Sequence, residues 1–118
     1  MPVSYIEHKG KRILYVDYSP CKTEEETIQV LEEAAREFEK SPAKLLSLDN
    51  YNEAFASDRF LKRAKELGSS TISAKRQKGA IIGLKGIKKI LLSSYKLFVK
   101  DSLTPFETRE EALEFLVR

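Results

Sequence analysis

From Gly79 to Arg118 the chain alternates short apolar runs with amphipathic segments, and this alternation restricts the fold more than any other feature. Gly79-Ala-Ile-Ile-Gly-Leu84 is a short apolar run, and Lys85 to Val99 carries apolar residues at helical spacing. Thr104-Pro-Phe-Glu107 is a brief extended piece, and Thr108 opens a last helix. A strand that feeds a crossover helix and then a further strand builds a parallel sheet, because parallel neighbours need a long connection.

The first half of the chain follows the same pattern. Val3–Glu7 and Arg12–Tyr18 are rich in β-branched and aromatic residues and flank His8-Lys-Gly-Lys11, which predicts a β-hairpin with a longer loop. In the second strand Leu14, Val16 and Tyr18 share one face, and Ile13, Tyr15 and Asp17 the other. Both faces are partly apolar, so this strand belongs inside the sheet. Thr23-Glu-Glu-Glu26 is a capping box, in which the threonine accepts from a backbone N–H and Glu26 reaches back. Ile28, Leu31, Ala34 or Ala35, and Phe38 then recur at helical spacing, and the helix stops before Pro42. Ala43–Leu48 lies between two helices and reads as a buried parallel strand.

Ser57 is placed to N-cap the next helix, with Asp58 in its first turn. Phe60, Ala64, Leu67, and Thr71 or Ile72 follow one face, and Gly68 marks a point where the helix kinks or breaks. Gly79 is expected to end this element and Ala80–Leu84 to form the next strand. In the helix after it, Ile87, Ile90, Leu91, Ser94, and Leu97 or Phe98 are expected to face inward, with Lys88, Lys89 and Lys96 outside. Thr108 and Glu111 make a second capping box, after which Ala112, Leu113, Leu116 and Val117 pack inward. The expectation is an α/β fold in one domain spanning 1–118. It has a mixed sheet of about five strands, begins with a β-hairpin and runs in the order ββαβαβαβα. A ligand crevice belongs at the C-terminal ends of its strands.

Composition narrows the class. At 118 residues the chain fits one domain with one real core. Its single cysteine, Cys21, excludes an intrachain disulfide and fits a reducing compartment. No apolar run approaches the ~20 residues that span a bilayer. The opening Met1-Pro-Val-Ser-Tyr-Ile lacks the features of a signal peptide, so a cytoplasmic protein is expected. Charge is unevenly spread: residues 1–58 hold 7 basic and 12 acidic side chains, whereas residues 59–100 hold 12 and 1. Lys75, Arg76, Lys78, Lys85, Lys88 and Lys89 could meet an anion, a nucleic acid or a lipid head group. The plainer reading is a set of solvated faces opposite the acidic first helix. Aromatics for base stacking are sparse there, with only Tyr95 close.

No catalytic constellation stands out, and no enzyme activity, cofactor or metal is expected. His8 is the only histidine and has no cysteine near it in sequence to complete a zinc site. Cys21 has no histidine placed to act as its base. Asp17, Asp49 and Asp58 lie where a cleft would form, and read as caps and turn formers. Gly83-Leu-Lys-Gly86, between strand and helix, offers backbone N–H groups to an anion. It is also similar to the Gly-x-x-Gly loop of KH RNA-binding domains, although that loop joins two helices.

The element order resembles the STAS domains, and within them the SpoIIAA-like or STAS/SEC14-like bacterial proteins. The local likeness lies in Ala80-Ile-Ile-Gly83 and in Pro105-Phe-Glu-Thr-Arg-Glu-Glu-Ala-Leu-Glu-Phe-Leu116. The resemblance implies a non-enzymatic regulatory domain that binds a protein partner, as anti-sigma-factor antagonists do, and often pairs with itself. In that branch a strand ends in aspartate, and a serine at the next helix start is phosphorylated. Leu48-Asp49 matches the strand end, and Ser57-Asp58 falls at the helix start with its two residues in reversed order. The partner surface expected on this basis comprises Asp49, Asn50, Tyr51, Ser57 and Asp58, with Gly83 and Gly86 beside them. The SEC14-like side of the resemblance implies an apolar ligand between the second and third helices.

Overall fold

A computed structural model of the chain describes residues 2–118. Strands β1 (Val3–His8) and β2 (Lys11–Asp17) pair antiparallel, with His8 opposite Lys11. The connection is therefore two residues long, shorter than the expected loop. Lys9 and Gly10 both take positive φ, 49° and 80°, as a tight hairpin turn matched to strand twist requires.

Helix α1 (Glu24–Lys40) starts at the Thr23–Glu26 capping box and ends at Ser41, just before Pro42. Its buried stripe is Thr27, Val30, Leu31, Ala34, Ala35 and Phe38, while Ile28 is only half-buried. Strand β3 (Leu45–Asn50) follows and pairs parallel with β2. Helix α2 (Asp58–Leu67) is capped by the Ser57 hydroxyl, which accepts from the Phe60 N–H at 3.1 Å. At Gly68, where the sequence predicts a break, the helix widens into a π-helical turn over Gly68–Ile72 and ends in the short α3 (Ser73–Lys75).

Strand β4 (Arg76–Ile82) begins before the expected Ala80, and Gly79 lies within it. The reason is steric. A Cβ on Gly79 would stand 2.6 Å from Cδ of Arg76 and 2.8 Å from the Ser102 carbonyl. The glycine thus lets a long side chain lie across the strand. Helix α4 (Ile87–Phe98), edge strand β5 (Leu103–Phe106) and helix α5 (Arg109–Val117) complete the chain. Thr108 and Glu111 form the second capping box, and Pro105 is tolerated because β5 is an edge strand.

The five strands lie in the order β1-β2-β3-β4-β5, antiparallel only at the hairpin. Two apolar layers result. Leu14, Val16, Phe38, Ile72, Ile81 and Tyr95 belong to a cluster on the face covered by α1, α2 and α4. Ile13, Leu48, Ala80, Ile82, Ala112 and Leu116 belong to a second cluster beneath α5. Each crossover steps the same way along the sheet, so a single handedness puts all three crossover helices on one face. Helix α5 covers the other.

Helix α4 is rotated from the expected orientation, although Lys89 and Lys96 stand outside as expected. Ile87, Ile90, Leu97 and Phe98 are 71%, 66%, 91% and 73% exposed. Tyr95 and Val99 are buried, and Lys88, Leu91 and Leu92 are half-buried. The helix is apolar on two stripes at helical spacing, 87-90-94-97 and 88-91-92-95-99. Periodicity cannot choose between them. The choice falls to Tyr95, whose hydroxyl donates to Asp101 at 2.6 Å, and to Val99 packed in the core.

Candidate functional site

The C-terminal ends of β3 and β4 meet as the crevice rule requires. Tyr51 N–H donates to the Ile82 carbonyl at 2.8 Å, and the Asn52 backbone fills the space that a side chain at Gly83 would need. Gly83 and Gly86 have φ of 87° and 58°, which explains glycine at both positions. Asn50 anchors the loop by donating to the Tyr15 hydroxyl at 3.0 Å and accepting from the Asn52 N–H at 3.1 Å. Asp58 is exposed, while Ser57 is half-buried at its cap. The loop after Asn50 thus lies against Gly83, with Lys88 5.6 Å above the Tyr51 ring, and leads into Ser57 and Asp58 at the start of α2.

Asp49 and Tyr51, expected on the partner surface, turn inward. Tyr51 packs with its ring centroid 5.0 Å from Tyr18 and 5.7 Å from Phe60, and its hydroxyl donates to the Phe55 carbonyl at 2.8 Å. Burial pushes the Tyr51 and Tyr18 hydroxyls well above the usual tyrosine range. Asp49 is neither a cap nor a turn former. It points into the α1/α2/α4 face, only 8% exposed.

A buried polar cluster surrounds it. Nε of Arg76 donates to the Ser47 hydroxyl at 2.9 Å, and Nη1 to Oδ2 of Asp101 at 2.6 Å. The same Oδ2 accepts from the Tyr95 hydroxyl at 2.6 Å, and the Arg76 guanidinium lies 5.2 Å from the Phe38 ring centroid. Nη2 is 3.7 Å from Oδ2 of Asp49, an ion pair beyond hydrogen-bond distance. Burial raises the Asp49 carboxyl to about 6, against the opposing pull of Arg76. Burial would lower the pKa of Arg76, but Asp49 and Asp101 together more than offset it and keep the guanidinium charged.

The position of Arg76 depends on a register shift between Leu45 and Leu46. Leu45 pairs with Arg76, but Leu46 pairs with Lys78, so Gln77 is the extra residue of a bulge. Simple alternation would put Arg76 beside Lys78 and Ala80, beneath α5. The bulge turns it to the opposite face, over Ser47. Nothing in the sequence signals the bulge. Asp101 follows α4 and was missed for a related reason, since a lone aspartate after a helix reads as a turn residue.

Between α2, α4 and the sheet lies a cavity of about 90 Å³. Its walls include Leu61, Ala64, Leu84, Leu92 and Ile72, and Asp49, Arg76 and Tyr18 also face it. The covering helices are lightly held: α2 buries no residue fully and α4 only Tyr95. Ion pairs tether α2 to α1, with Arg59 to Glu24 at 3.3 Å and Arg63 to Glu32 at 3.0 Å.

The basic residues 75–89 do not converge. Arg76 is buried against carboxylates. Lys75 donates to the Ser41 carbonyl, and Lys78 to the Phe115 and Arg118 carbonyls at 3.0 and 3.2 Å. Lys85, Lys88 and Lys89 lie beyond the far end of β4, about 20 Å away along the strand. Elsewhere, Cys21 is buried and its thiol is pushed up by that burial. His8 pairs with Glu114 at 2.9 Å. Among the described residues no group of three or more His, Cys, Asp or Glu side chains could hold a metal ion. No helix of the described residues is long and apolar enough to cross a membrane.

This architecture, with its hairpin start and ββαβαβαβα order, is the fold of a STAS domain. The chain is similar in structure to an anti-sigma-factor antagonist (STAS) domain protein from Planctomyces limnophilus. The two align over 98% of each chain with a TM-score of 0.60 at 14% sequence identity. No family model matches the sequence, and no curated protein does.

Proposed function

We propose that the chain is a non-enzymatic regulatory domain that docks a protein partner on the rim formed by Asn50, Ser57, Asp58, Gly83 and Gly86 and on the adjoining outer face of α4. The observation that carries this reading is the exposed row Ile87, Ile90, Leu97 and Phe98. Large apolar side chains grouped on one helix face, with lysines at their edges, are the chemistry of an interface. The likeness to an anti-sigma-factor antagonist domain supports the same reading. Docking requires Asp58 and α4 to act together, and Lys88 over Tyr51 places the start of α4 against the loop. The partner surface is apolar with an acidic rim, which Lys85, Lys89 and Lys96 would meet. A second copy of this chain is one such partner by analogy with the fold. An anionic ligand is less favoured, because only Lys85, Lys88 and Lys89 of the six basic residues share a location.

The test is affinity capture from lysate of the source cells with the immobilised chain, its Asp58→Lys variant and its Leu97→Glu variant. A protein retained by the parent and lost by both variants supports the surface. A protein retained equally by all three places docking elsewhere. Sedimentation of the purified chain reports whether the partner is a second copy, and titration with single-stranded RNA across salt concentrations tests the anionic alternative.

A further inference from the structure

The α2/α4 cavity contains an unsatisfied polar pair. Asp49 is a buried residue whose carboxylate faces the cavity and has its nearest cation at 3.7 Å. Nε and Nη1 of Arg76 are committed to Ser47 and Asp101, whereas Nη2 on the cavity side reaches no acceptor within hydrogen-bond distance. Both groups face the cavity without a hydrogen-bond partner, and the rest of the lining is apolar apart from Tyr18, Tyr51, Tyr95 and Lys88. Counting Asp49 and Asp101 against Arg76, the cluster carries one excess negative charge.

We propose that this cavity is a binding site for a small apolar molecule ending in a hydroxyl group. The hydroxyl donates to Asp49 and accepts from Nη2 of Arg76, so a single group satisfies both. The body lies between Leu61 and Ala64 of α2 and Leu92 of α4, all of which line the space. A carboxylate in contact with Asp49 meets like charge at close range, and a pure hydrocarbon leaves both polar groups open. Three features admit a ligand. The cavity already exceeds the volume one water needs, roughly 10–15 Å³ on the same measure. The helices over it are only half-buried. The π-helical turn at Gly68 gives room to the Tyr95 hydroxyl, which would otherwise meet a side chain there. This site is separate from the outer face of α4 and does not depend on the docking reading.

The experiment is a two-dimensional NMR titration of the full chain with three ring probes of similar size: phenol, toluene and benzoate. Phenol is expected to shift signals of Leu61, Ala64, Leu92 and Tyr95 and to bind about ten- to a hundred-fold more tightly than toluene, as a hydrogen bond to a buried charge dictates. Benzoate is expected to leave those signals in place. Asp49→Leu, which leaves Arg76 its contact with Asp101, is expected to erase the preference for phenol over toluene. Equal affinity for phenol and toluene overturns the proposal. So does binding of benzoate, or shifts confined to Ile90 and Leu97 on the outer face, or no shift with any probe up to its solubility. The probe comparison on the unaltered chain decides the matter even if the variant does not fold.

Discussion

Arg76 and Asp101 meet at 2.6 Å, with side chains 5% and 0% exposed, and this contact locks the end of α4 to the sheet. Asp101 also holds the Tyr95 hydroxyl at 2.6 Å, so a single carboxylate oxygen joins strand, helix and loop. Removing it would leave Arg76 with only the distant Asp49 as a charged partner. Asp101→Ala is expected to lower unfolding free energy by about 3 kcal/mol, the low end for a broken buried pair. Urea denaturation measures it. A loss below about 1 kcal/mol would mean that the pair adds little to the fold.

Gly68 has ordinary helical φ, so alanine there should gain about 1 kcal/mol of helix propensity. The cavity-side packing opposes this, since a Cβ would collide with the Tyr95 hydroxyl and stand 2.9 Å from its ring carbons. Gly68→Ala is expected to destabilise by about 1–2 kcal/mol net. Combined with Tyr95→Phe it should cost less than the sum of the two single changes, because the first atom in collision is gone. A double-mutant cycle in urea reads the coupling. Strict additivity would refute the contact.

Asp49 gives stability a dependence on pH. Burial raises its carboxyl to about 6, above the value of ~3.9 for an unfolded chain. The folded state therefore holds this proton more tightly. Its contribution is fully present below pH ~4 and is lost as pH rises through about 6, a change of roughly 3 kcal/mol at most. Arg76 and Asp101 face the carboxyl and oppose one another in effect. Asp49→Asn should remove this slope. Glu26, Glu37 and Glu114 are held below the usual range by hydrogen bonds, contribute the opposite slope, and remain in the variant. Denaturant midpoints from pH 4 to 8 for both proteins isolate the difference, and identical profiles would contradict the buried placement of Asp49.

The outward stripe of α4 separates two packings of the same helix. Leu97, at 91% exposed, should tolerate serine with a stability change within about 0.5 kcal/mol. Leu92, which lines the cavity, should lose more than 1 kcal/mol on truncation to alanine because it is half-buried. Thermal melts of Leu97→Ser and Leu92→Ala test the pair, and the reverse order of effects would restore the orientation expected from the sequence, with Ile87, Ile90 and Leu97 inward.

The Ser57 hydroxyl satisfies the Phe60 N–H at the start of α2. Ser57→Ala is expected to cost about 1 kcal/mol, and Ser57→Asp to keep most of that stability, since a carboxylate also caps and suits the helix dipole. Urea midpoints of the three proteins compare them.

Local chemistry determined the element order, both capping boxes, the Ser57 cap, the break at Gly68 and the buried parallel strands, because each depends on neighbours within four residues or on a run of apolar side chains. The STAS-like architecture was legible for the same reason. Only the tertiary structure decided which of two apolar stripes on α4 meets the core, since a helix apolar on both sides carries no preference of its own and Asp101 supplies it from outside the helix. Tertiary pairing likewise set the bulge that turns Arg76 to the other face, and so brought it to Ser47, Asp49 and Asp101. Residues separated by 25 or more positions come together there, and spacing along the chain cannot reveal a register that forms only when strands align.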